Sequence, residues 1–515
     1  MIPVIDIFAG PGGLGEGFSA CREGDEFLFD IKLSIEMDSL ARRTLKLRSF
    51  VRQFPGRKPP PEYYKVLRKG LSEEVLYSDP QFADEASSAD WEAWQATLGE
   101  TPLENVRERI RTALAGEKDW VLIGGPPCQA YSLAGRSRNK GIEGYVFEED
   151  KRTKLYEEYL QIIADFWPSV FVMENVKGMI SATASNQLVF GKICSDLEKP
   201  AESIAALNRE RVRSGDPYEY RLYALSPDAP SLGLGERPEL KDFLVRAEEY
   251  GVPQARHRVF VVGVRSDIDA RPKELSKKRQ VSLWDVISDL PKIRSGFSKR
   301  KDDSSFWNLH MNGAIDRLVE ICDPDVVEVL KDCRFKYRFQ DDEAPRGGNY
   351  VRSRVGASKH RDWYWDGKIR GVFNHESKAH MESDLDRYLF AAAFGKAHLR
   401  SPKLDDFPES LLPAHKNVHD QSAGKKFVDR FKVQVEHRPS TTVVSHISKD
   451  GHYYIHPDPL QCRSLTVREA ARLQTFPDNY YFCGPRTSQF HQVGNAVPPL
   501  LAVKIAEIVS AVVPS

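Results

Sequence analysis

The chain of 515 residues is long enough for roughly two to four domains. It carries 74 basic and 74 acidic side chains, so its net charge does not indicate a polyanionic partner, and any basic surface must be local. The seven cysteines are odd in number and include no C-x-x-C pair, which argues against a disulfide framework or a simple zinc finger and favours a reducing compartment. Neither a signal peptide nor a transmembrane span is recognisable, so we expect a soluble intracellular protein.

The amino-terminal segment has the pattern of a nucleotide-binding unit. A strand predicted over Val4–Phe8 leads into a glycine-rich loop and a helix, and such a loop lets the backbone approach a ligand closely. Its glycines are Gly10, Gly12 and Gly13. A second strand, Ile31–Met37, carries Glu36, and an acidic residue at this place in a Rossmann-like unit accepts hydrogen bonds from ribose hydroxyls. Packing alone accounts for a glycine-rich turn, and solvation alone accounts for an acid at a strand end. The loop and Glu36 together favour a nucleoside-containing cofactor.

Residues 121–136, VLIGGPPCQAYSLAGR, contain the candidate nucleophile. A short apolar strand ends at two glycines, and Pro126 and Pro127 then stiffen the turn that carries Cys128. The carboxyl ends of strands are where open α/β sheets bind ligands. A free cysteine is most often a small buried apolar residue, but the rigid turn before Cys128 favours a reactive thiol. The polar and basic segment 129–141 has the composition of a substrate-covering loop.

Two later segments offer charged groups for the same sheet edge. The strand predicted over Ser169–Met173 ends in Glu174, which would face the same edge as Cys128; an exposed loop acid explains it equally well. Residues 254–258, QARHR, place Gln254, Arg256 and Arg258 at period-two spacing. Paired guanidiniums suit phosphate or carbonyl recognition, and a salt-bridged surface has the same pattern.

The other elements are predicted from their periodicity. Residues 48–119 have the composition of a charged insertion between sheet strands. Helices are expected at Trp91–Leu98, Glu104–Leu114, Leu155–Phe166, Asp242–Glu249, Leu465–Thr475 and Leu500–Val512. Residues Arg438–His456 are expected to form a β-hairpin, and QVGNAVPP at 492–499 a tight polar turn. The basic and aromatic segment 346–371 fits a nucleic-acid surface, although solvated loops share its composition.

Six segments stand in one order along the chain. They are DIFAGPGGLGEGF at 6–18, GGPPCQAYS at 124–132, ENVKG at 174–178, QARHR at 254–258, RSLTVREAARLQTFP at 463–477 and QVGNAVPP at 492–499. In content and order they resemble the DNA (cytosine-5-)-methyltransferase family. The resemblance implies an α/β fold, with a Rossmann-like S-adenosyl-L-methionine-dependent methyltransferase domain and a second, smaller target-recognition domain. The first would comprise residues 1–275 and 485–515, with the insertion at about 48–119, and the second residues 276–484.

The resemblance also implies roles for individual residues and no metal site. The cofactor would be bound by Phe8, Gly10, Gly12, Gly13, Leu14, Glu36, Pro126, Leu155 and Asn495. The catalytic residues would be Cys128, Glu174, Arg256 and Arg258. The DNA contacts would come from Gln129, Ser132, Arg136 and Gln254. The family usually has an acid after the third strand, near the cofactor adenine, and the sequence does not decide between Asp79 and Asp84.

The chemistry follows from the poor nucleophilicity of cytosine carbon 5. A thiolate that adds to carbon 6 activates carbon 5 for methylation, which splits one hard step into two easier ones. Glu174 would bond ring nitrogen 3, and Arg258 the base carbonyl. Arg256 would bind a neighbouring group or a backbone phosphate. Because a base within a duplex cannot reach such a pocket, the nucleotide must flip out.

We expect double-stranded DNA as substrate and a cytosolic, monomeric prokaryotic enzyme with no membrane contact. A cognate restriction endonuclease would act separately. Three alternatives stay open: a tRNA cytosine-5 methyltransferase, an inactive DNA-binding relative and a dinucleotide-binding oxidoreductase. The long segment 266–455 argues against the first, and the full set of catalytic residues against the second. The Pro-Pro-Cys-Gln segment at 126–129 argues against the third.

Overall fold

The computed structural model describes residues 1–127, 155–180, 183–184, 187–211, 217–227, 238–334, 345–353, 359–412 and 431–514. The chain divides into two compact units. The first comprises Met1–Lys58, Gln81–Arg279 and Ala496–Ser515, and the second Pro59–Pro80 and Gln280–Asn495. The second unit therefore takes up a short stretch from the predicted insertion.

An eight-stranded sheet forms the centre of the first unit. Its strands are β1 (Ile2–Ile7), β2 (Phe29–Glu36), β3 (Ala93–Gln95), β4 (Val121–Gly124), β5 (Val170–Val176), β6 (Tyr220–Tyr223), β7 (Leu244–Arg246) and β8 (His257–Arg265). The order across the sheet is β6-β8-β5-β4-β1-β2-β3, and β7 pairs with β8. Strands β3, β2, β1, β4 and β5 are parallel, whereas β8 runs antiparallel to β5.

This topology brings several chain segments to one edge. Parallel strands end at the same edge, and the order reverses between β1 and β4, which is where open α/β sheets bind ligands. The antiparallel strand β8 adds its amino end, because Arg258 stands opposite Val176 in the register.

Helices cover both faces of the sheet, as expected for parallel strands that are apolar on both sides. Those of the first unit are Gly13–Ala20, Ser39–Arg52, Ala83–Glu92, Leu103–Leu114, Leu155–Phe166, Val189–Glu198, Pro200–Ala206 and Pro499–Ser510. Alternate residues of β1 enter two separate cores, Ile5 in one and Val4 in the other. The final helix packs beside helix Gly13–Ala20 in the second of these cores.

The second unit is built mainly from helices around its own core. Its longer helices are Pro61–Arg68, Ser304–Val319, Pro324–Arg334, Glu382–His398, Val467–Leu473 and Arg486–Asn495. A two-stranded antiparallel ribbon, Gly347–Arg352 with Gly371–Glu376, adds the largest piece of sheet among its described residues. One window, Arg486–Ser510, is long and apolar enough for a membrane span, but it comprises two helices and is 61% buried within the protein.

Several element predictions are confirmed. Helices form at Leu103–Leu114, Leu155–Phe166, Val467–Leu473 and Pro499–Ser510, close to their predicted bounds. Thr466 caps the third of these through a capping box with Glu469.

Other predictions are wrong. Trp91–Leu98 is not a helix, since it contains the edge strand β3, so the predicted insertion supplies part of the sheet. Asp242–Glu249 contains strand β7 between two short 3-10 helices. Arg438–His456 forms a short strand and a 3-10 helix, not a hairpin, and the predicted turn at 492–499 begins inside helix Arg486–Asn495.

Candidate active site

The glycine-rich loop after β1 is held in an unusual backbone conformation. Phe8, Gly10 and Gly12 have φ angles of 54°, 58° and 95°. No atom lies within 4 Å of the position that a Cβ on Gly10 would take, so the loop is open on that side. Gly12 is the N-cap residue of helix Gly13–Ala20, and no side chain caps the first amides of this helix. Amide groups at the start of a helix suit a polar or charged ligand.

Glu36 closes this loop from the neighbouring strand. Its Oε2 accepts a hydrogen bond from the Gly10 amide at 2.7 Å, and its Oε1 accepts one from the Asp38 amide at 2.8 Å. Burial raises the pKa of Glu36, and the amide bonds from Asp38 and Gly10 oppose that shift. Two backbone donors thus fix the carboxylate beside the open loop, where its other lone pairs can accept bonds from a ribose diol. These residues fit the nucleoside part of S-adenosyl-L-methionine.

Two other predicted cofactor residues have clear packing roles. A Cβ on Gly13 would lie 2.2 Å from the Val497 carbonyl oxygen, so glycine is required for the close approach of the last segment of the chain. The Leu14 side chain is buried in the core, which leaves only its backbone available to a ligand. Their cofactor roles stay predictions.

The turn after β4 is fixed by strand β5. The side-chain amide of Asn175 donates to the Pro126 carbonyl at 3.2 Å, and its oxygen accepts from the Val176 amide at 2.8 Å. A Cβ on Gly125 would lie 2.8 Å from Glu174 Oε2, so the turn passes directly over that carboxylate. Asn175 is a positioning residue that our sequence reasoning did not single out, although it lies within the ENVKG segment.

Glu174 and Arg258 meet at the edge where β5 ends and β8 begins. Arg258 Nε lies 3.0 Å from Glu174 Oε1, and both side chains are largely but not fully buried. Glu174 lies inside β5 rather than after it, opposite Phe260 of β8. A carboxylate and a guanidinium that are fixed against each other can together bind a ring that offers adjacent donor and acceptor groups.

The remaining predicted site residues are placed as follows. Gln254 and Arg256 are buried, and Leu155 is the half-buried first residue of its helix. Asn495 ends helix Arg486–Asn495 in the second unit. The nucleophile and three predicted DNA contacts lie outside the described residues: Cys128, Gln129, Ser132 and Arg136.

The third strand of the sheet does not end in the acid that the resemblance implies near the cofactor adenine. It is β3, and it is followed by Ala96 and Thr97, neither of which carries a carboxylate. Asp79 belongs to the second unit, and Asp84 lies in the exposed first turn of helix Ala83–Glu92. Neither candidate therefore stands at the end of the third strand.

Asp6 is a buried acid whose position the sequence did not reveal. It is fully buried in β1, and a Cβ on Gly15 would lie 2.9 Å from its Oδ2. Burial raises the pKa of Asp6 to about 8, and Arg52 and the Gly15 amide oppose this shift. The carboxyl group is therefore largely protonated near neutral pH, directly beneath the helix that follows the glycine-rich loop.

Comparisons with known proteins identify the family of the chain. The family model described as C-5 cytosine-specific DNA methylase matches residues 65–200 and 240–511. The chain is similar to the type II methyltransferase M.Bpa9945I of Bacillus paralicheniformis, with 31% identity over 99% of both chains. It is also similar to the type II methyltransferase M.DdeI of Desulfomicrobium norvegicum, with 28% identity over 76% of this chain and 72% of the relative. A DNA (cytosine-5-)-methyltransferase of Aeropyrum pernix, M.ApeKI, is 27% identical over 78% of this chain and 83% of its own.

The family match covers most of the chain, and one relative matches along its whole length. The α/β fold with its central sheet agrees with this family. The chain therefore belongs to the C-5 cytosine-specific DNA methylase family and is a DNA (cytosine-5-)-methyltransferase that uses S-adenosyl-L-methionine.

Proposed function

We propose that the enzyme methylates carbon 5 of cytosine within one specific sequence of double-stranded DNA, by covalent attack of Cys128 on carbon 6 of a flipped-out base. The observation that carries the proposal is the Glu174–Arg258 pair, 3.0 Å apart, beside the Pro126-Pro127 turn that leads directly to Cys128. The carboxyl group and the guanidinium lie at one sheet edge, and a cysteine follows next along the chain; addition to cytosine requires these three groups.

The cofactor supplies an electrophilic methyl group when it is bound. Glu36 and the glycine-rich loop would hold its nucleoside part, because Glu36 is already fixed by the Gly10 and Asp38 amides. The turn after β4, which packs against Glu174, would place Pro126 against the cofactor, as the resemblance implies.

The first step is addition to the base. The Cys128 thiolate forms a bond to carbon 6, the electron pair of the carbon 5–carbon 6 double bond moves toward carbon 5, and charge also develops through the ring. Glu174 bonds ring nitrogen 3 in its protonated form, and Arg258 binds the neighbouring carbonyl oxygen. Carbon 5 would then bond the methyl carbon of the cofactor, with the carbon–sulfur bond breaking and a neutral thioether leaving. Loss of the carbon 5 proton to a base and expulsion of the thiolate restore the aromatic ring.

The ion pair also suits the free enzyme. Each of the two side chains holds the other toward the edge, so neither has to be reoriented from solvent when a base arrives. A flipped cytosine would exchange the Glu174–Arg258 bond for bonds to its own ring.

The relatives provide the biological context. Several carry type II methyltransferase names, which supports a role in protecting DNA from a separate restriction endonuclease. We propose that the second unit carries target recognition, and that the enzyme acts as a monomer in the prokaryotic cytosol.

Covalent trapping tests the mechanism. We would amplify DNA with a cytosine nucleotide that carries fluorine at carbon 5, so that every sequence context contains the analogue. Fluorine cannot leave as a proton does, so elimination stalls after methyl transfer. We expect a protein–DNA adduct that survives a denaturing gel, requires S-adenosyl-L-methionine and maps to Cys128 by peptide mass.

Two variants are the controls for this trap. Cys128→Ser should form no adduct, because a hydroxyl is far less ionised near neutral pH, whereas Cys194→Ser, in helix Val189–Glu198, should behave like the natural protein. An adduct that persists in Cys128→Ser or maps to another cysteine would overturn the mechanism. Transfer of labelled methyl groups to tRNA but not to DNA would overturn the proposed substrate.

A further inference from the structure

A cluster of exposed basic side chains lies on and beside the two-stranded ribbon of the second unit. We call it the basic ribbon: strands Gly347–Arg352 and Gly371–Glu376 with the turn at 359–370. Its exposed basic residues are Arg352, Lys359, Arg361, Lys368 and Arg370. Arg352 stands opposite Gly371 in the register, so Arg352 and Arg370 meet at the same end of the ribbon.

The pairing of these charges can be compared with that of other arginines in the described part of the unit. Within the part of the chain that the structure describes, none of the five forms an ion pair, and the Arg361 guanidinium instead lies over the exposed Trp365 ring, 4.6 Å from its centre. Four other exposed arginines of the same unit behave differently. They lie on or beside its helices and form ion pairs at 2.7–2.9 Å, namely Arg300–Glu382, Arg317–Asp386, Arg334–Asp316 and Arg400–Asp406. The ribbon therefore concentrates five unpaired basic side chains in one short stretch of the described chain.

The end of the ribbon is rigid. The Tyr350 hydroxyl donates to the Arg370 carbonyl at 2.8 Å, and Arg370 has a φ angle of 55°, which a non-glycine residue adopts only when its surroundings hold it there. A Cβ on Gly371 would lie 2.3 Å from the Val351 carbonyl oxygen and 2.7 Å from the Tyr350 ring. The Arg370 backbone is thus fixed while its side chain points into solvent.

The turn is fixed as firmly. Trp363 Nε1 donates to the Thr475 carbonyl at 2.7 Å, and the Tyr364 hydroxyl donates to the Arg472 carbonyl at 2.7 Å. Both carbonyls lie at the end of helix Val467–Leu473, whose side chains are fully buried. A surface whose backbone is held this way loses little conformational entropy when it binds a partner.

We propose that the basic ribbon binds the phosphate backbone of the substrate duplex and positions the second unit on it. Phosphate contacts from lysine and arginine supply much of the affinity for DNA and fix a protein's register on it. A two-stranded ribbon also has dimensions that the major groove admits. The proposal rests on the proposed function, since it takes double-stranded DNA as the substrate.

The salt dependence of DNA binding tests the proposal. We would measure the affinity of Arg352→Gln/Arg370→Gln for a labelled duplex between 50 and 200 mM salt, with the catalytic Cys128 unchanged. Each lost phosphate contact reduces the slope of log affinity against log salt by about 0.9. Two lost contacts therefore make the loss of affinity over this fourfold range about 12-fold smaller than in the natural protein.

A matched control removes two charges elsewhere in the unit. Lys331→Gln/Lys396→Gln alters exposed lysines of helices Pro324–Arg334 and Glu382–His398 and should leave the slope unchanged. Arg352→Lys/Arg370→Lys should keep the slope of the natural protein, because a phosphate contact needs charge more than shape. An unchanged slope in the glutamine variant would overturn the proposal, as would a lysine variant with the slope of the glutamine variant.

The outcome also separates the inference from the function on which it rests. If the natural protein methylates DNA while the glutamine variant binds duplex normally, the ribbon is not the phosphate-binding surface. If the natural protein transfers no methyl group to any duplex, the proposed function itself fails. A melting temperature equal to that of the natural protein excludes unfolding of the variants. We expect this result, because the substituted side chains are exposed.

Discussion

Removal of the Glu36 carboxylate should weaken cofactor binding without unfolding the protein. Glu36→Ala deletes the acceptor that we propose for the ribose hydroxyls and also the acceptor of the Gly10 amide, which is bonded at 2.7 Å. A hydrogen bond to a charged group contributes about 1.5–3 kcal/mol, so affinity for S-adenosyl-L-methionine should fall by about 10- to 150-fold. Loss of the restraint on the glycine-rich loop would favour the upper end of this range.

Isothermal titration calorimetry measures this change directly. Glu36→Gln keeps the shape and one oxygen acceptor and should give an intermediate loss, whereas Glu117→Ala, at an exposed position, should bind as the natural protein does. Because burial raises the pKa of Glu36, affinity should begin to fall at a higher pH than for an ordinary glutamate as the solution is acidified. Unchanged affinity in a folded Glu36→Ala protein would refute the reasoning.

Three further predictions concern stability and catalysis. A Cβ on Gly17 would lie 2.3 Å from that of Ala502, so Gly17→Ala should lower the free energy of unfolding by about 1–3 kcal/mol in urea denaturation. The control is Gly191→Ala, which lies in a helix with open space around it and should be neutral or stabilising. Equal effects of Gly17→Ala and Gly191→Ala would contradict the close packing of Gly17 against Ala502. Because the pKa of Asp6 is raised to about 8 in the folded protein, this group binds a proton more tightly there than in the unfolded chain. Its contribution to the free energy of unfolding therefore falls as pH rises from about 4 to 8. Asp6→Asn should remove this pH dependence of stability, so curves of stability against pH that run parallel for the variant and the natural protein would contradict the prediction. Glu174→Gln should still bind DNA but slow the methyl-transfer step in single-turnover experiments, because it cannot protonate ring nitrogen 3; a full rate would exclude Glu174 from that role.

The sheet could be predicted only where its strands carry a periodic signal. Strand β2 and helix Leu155–Phe166 are long enough to show their periods, and both form close to where expected. Strand β3 has three residues and follows a helix directly, so its pattern has no period to detect. It forms because β2 leaves an open edge, where the Ala96 amide bonds the Glu36 carbonyl at 3.1 Å.

The failed hairpin has a different cause. The segment after Arg438 has the β-branched residues of a strand, but side chains take up its backbone groups. The Gln434 side chain accepts from the Thr441 amide at 2.9 Å, and the Tyr454 hydroxyl donates to the Thr442 carbonyl at 2.8 Å. Such long-range competition between side chains and a ladder is invisible in local sequence.

The candidate site was predictable in its parts but not in its pairing. Each parallel strand end could be assigned to one edge, which placed Glu36 and Glu174 there. The contact between Glu174 and Arg258 depends on β8 running antiparallel to β5, and the spacing of QARHR does not reveal that direction. The bond from Asn175 to the Pro126 carbonyl is equally absent from the local pattern, because it joins β5 to the turn after β4.

Bisulfite sequencing of DNA from cells that express the protein tests the central claim most directly, because it reports both the reaction and its target. We expect one short sequence in which a defined cytosine resists conversion at nearly every occurrence, and we expect this protection to disappear in Cys128→Ser. Complete conversion of all cytosines, protection scattered without a common sequence, or protection that persists in Cys128→Ser would contradict methylation of a specific DNA sequence through this cysteine.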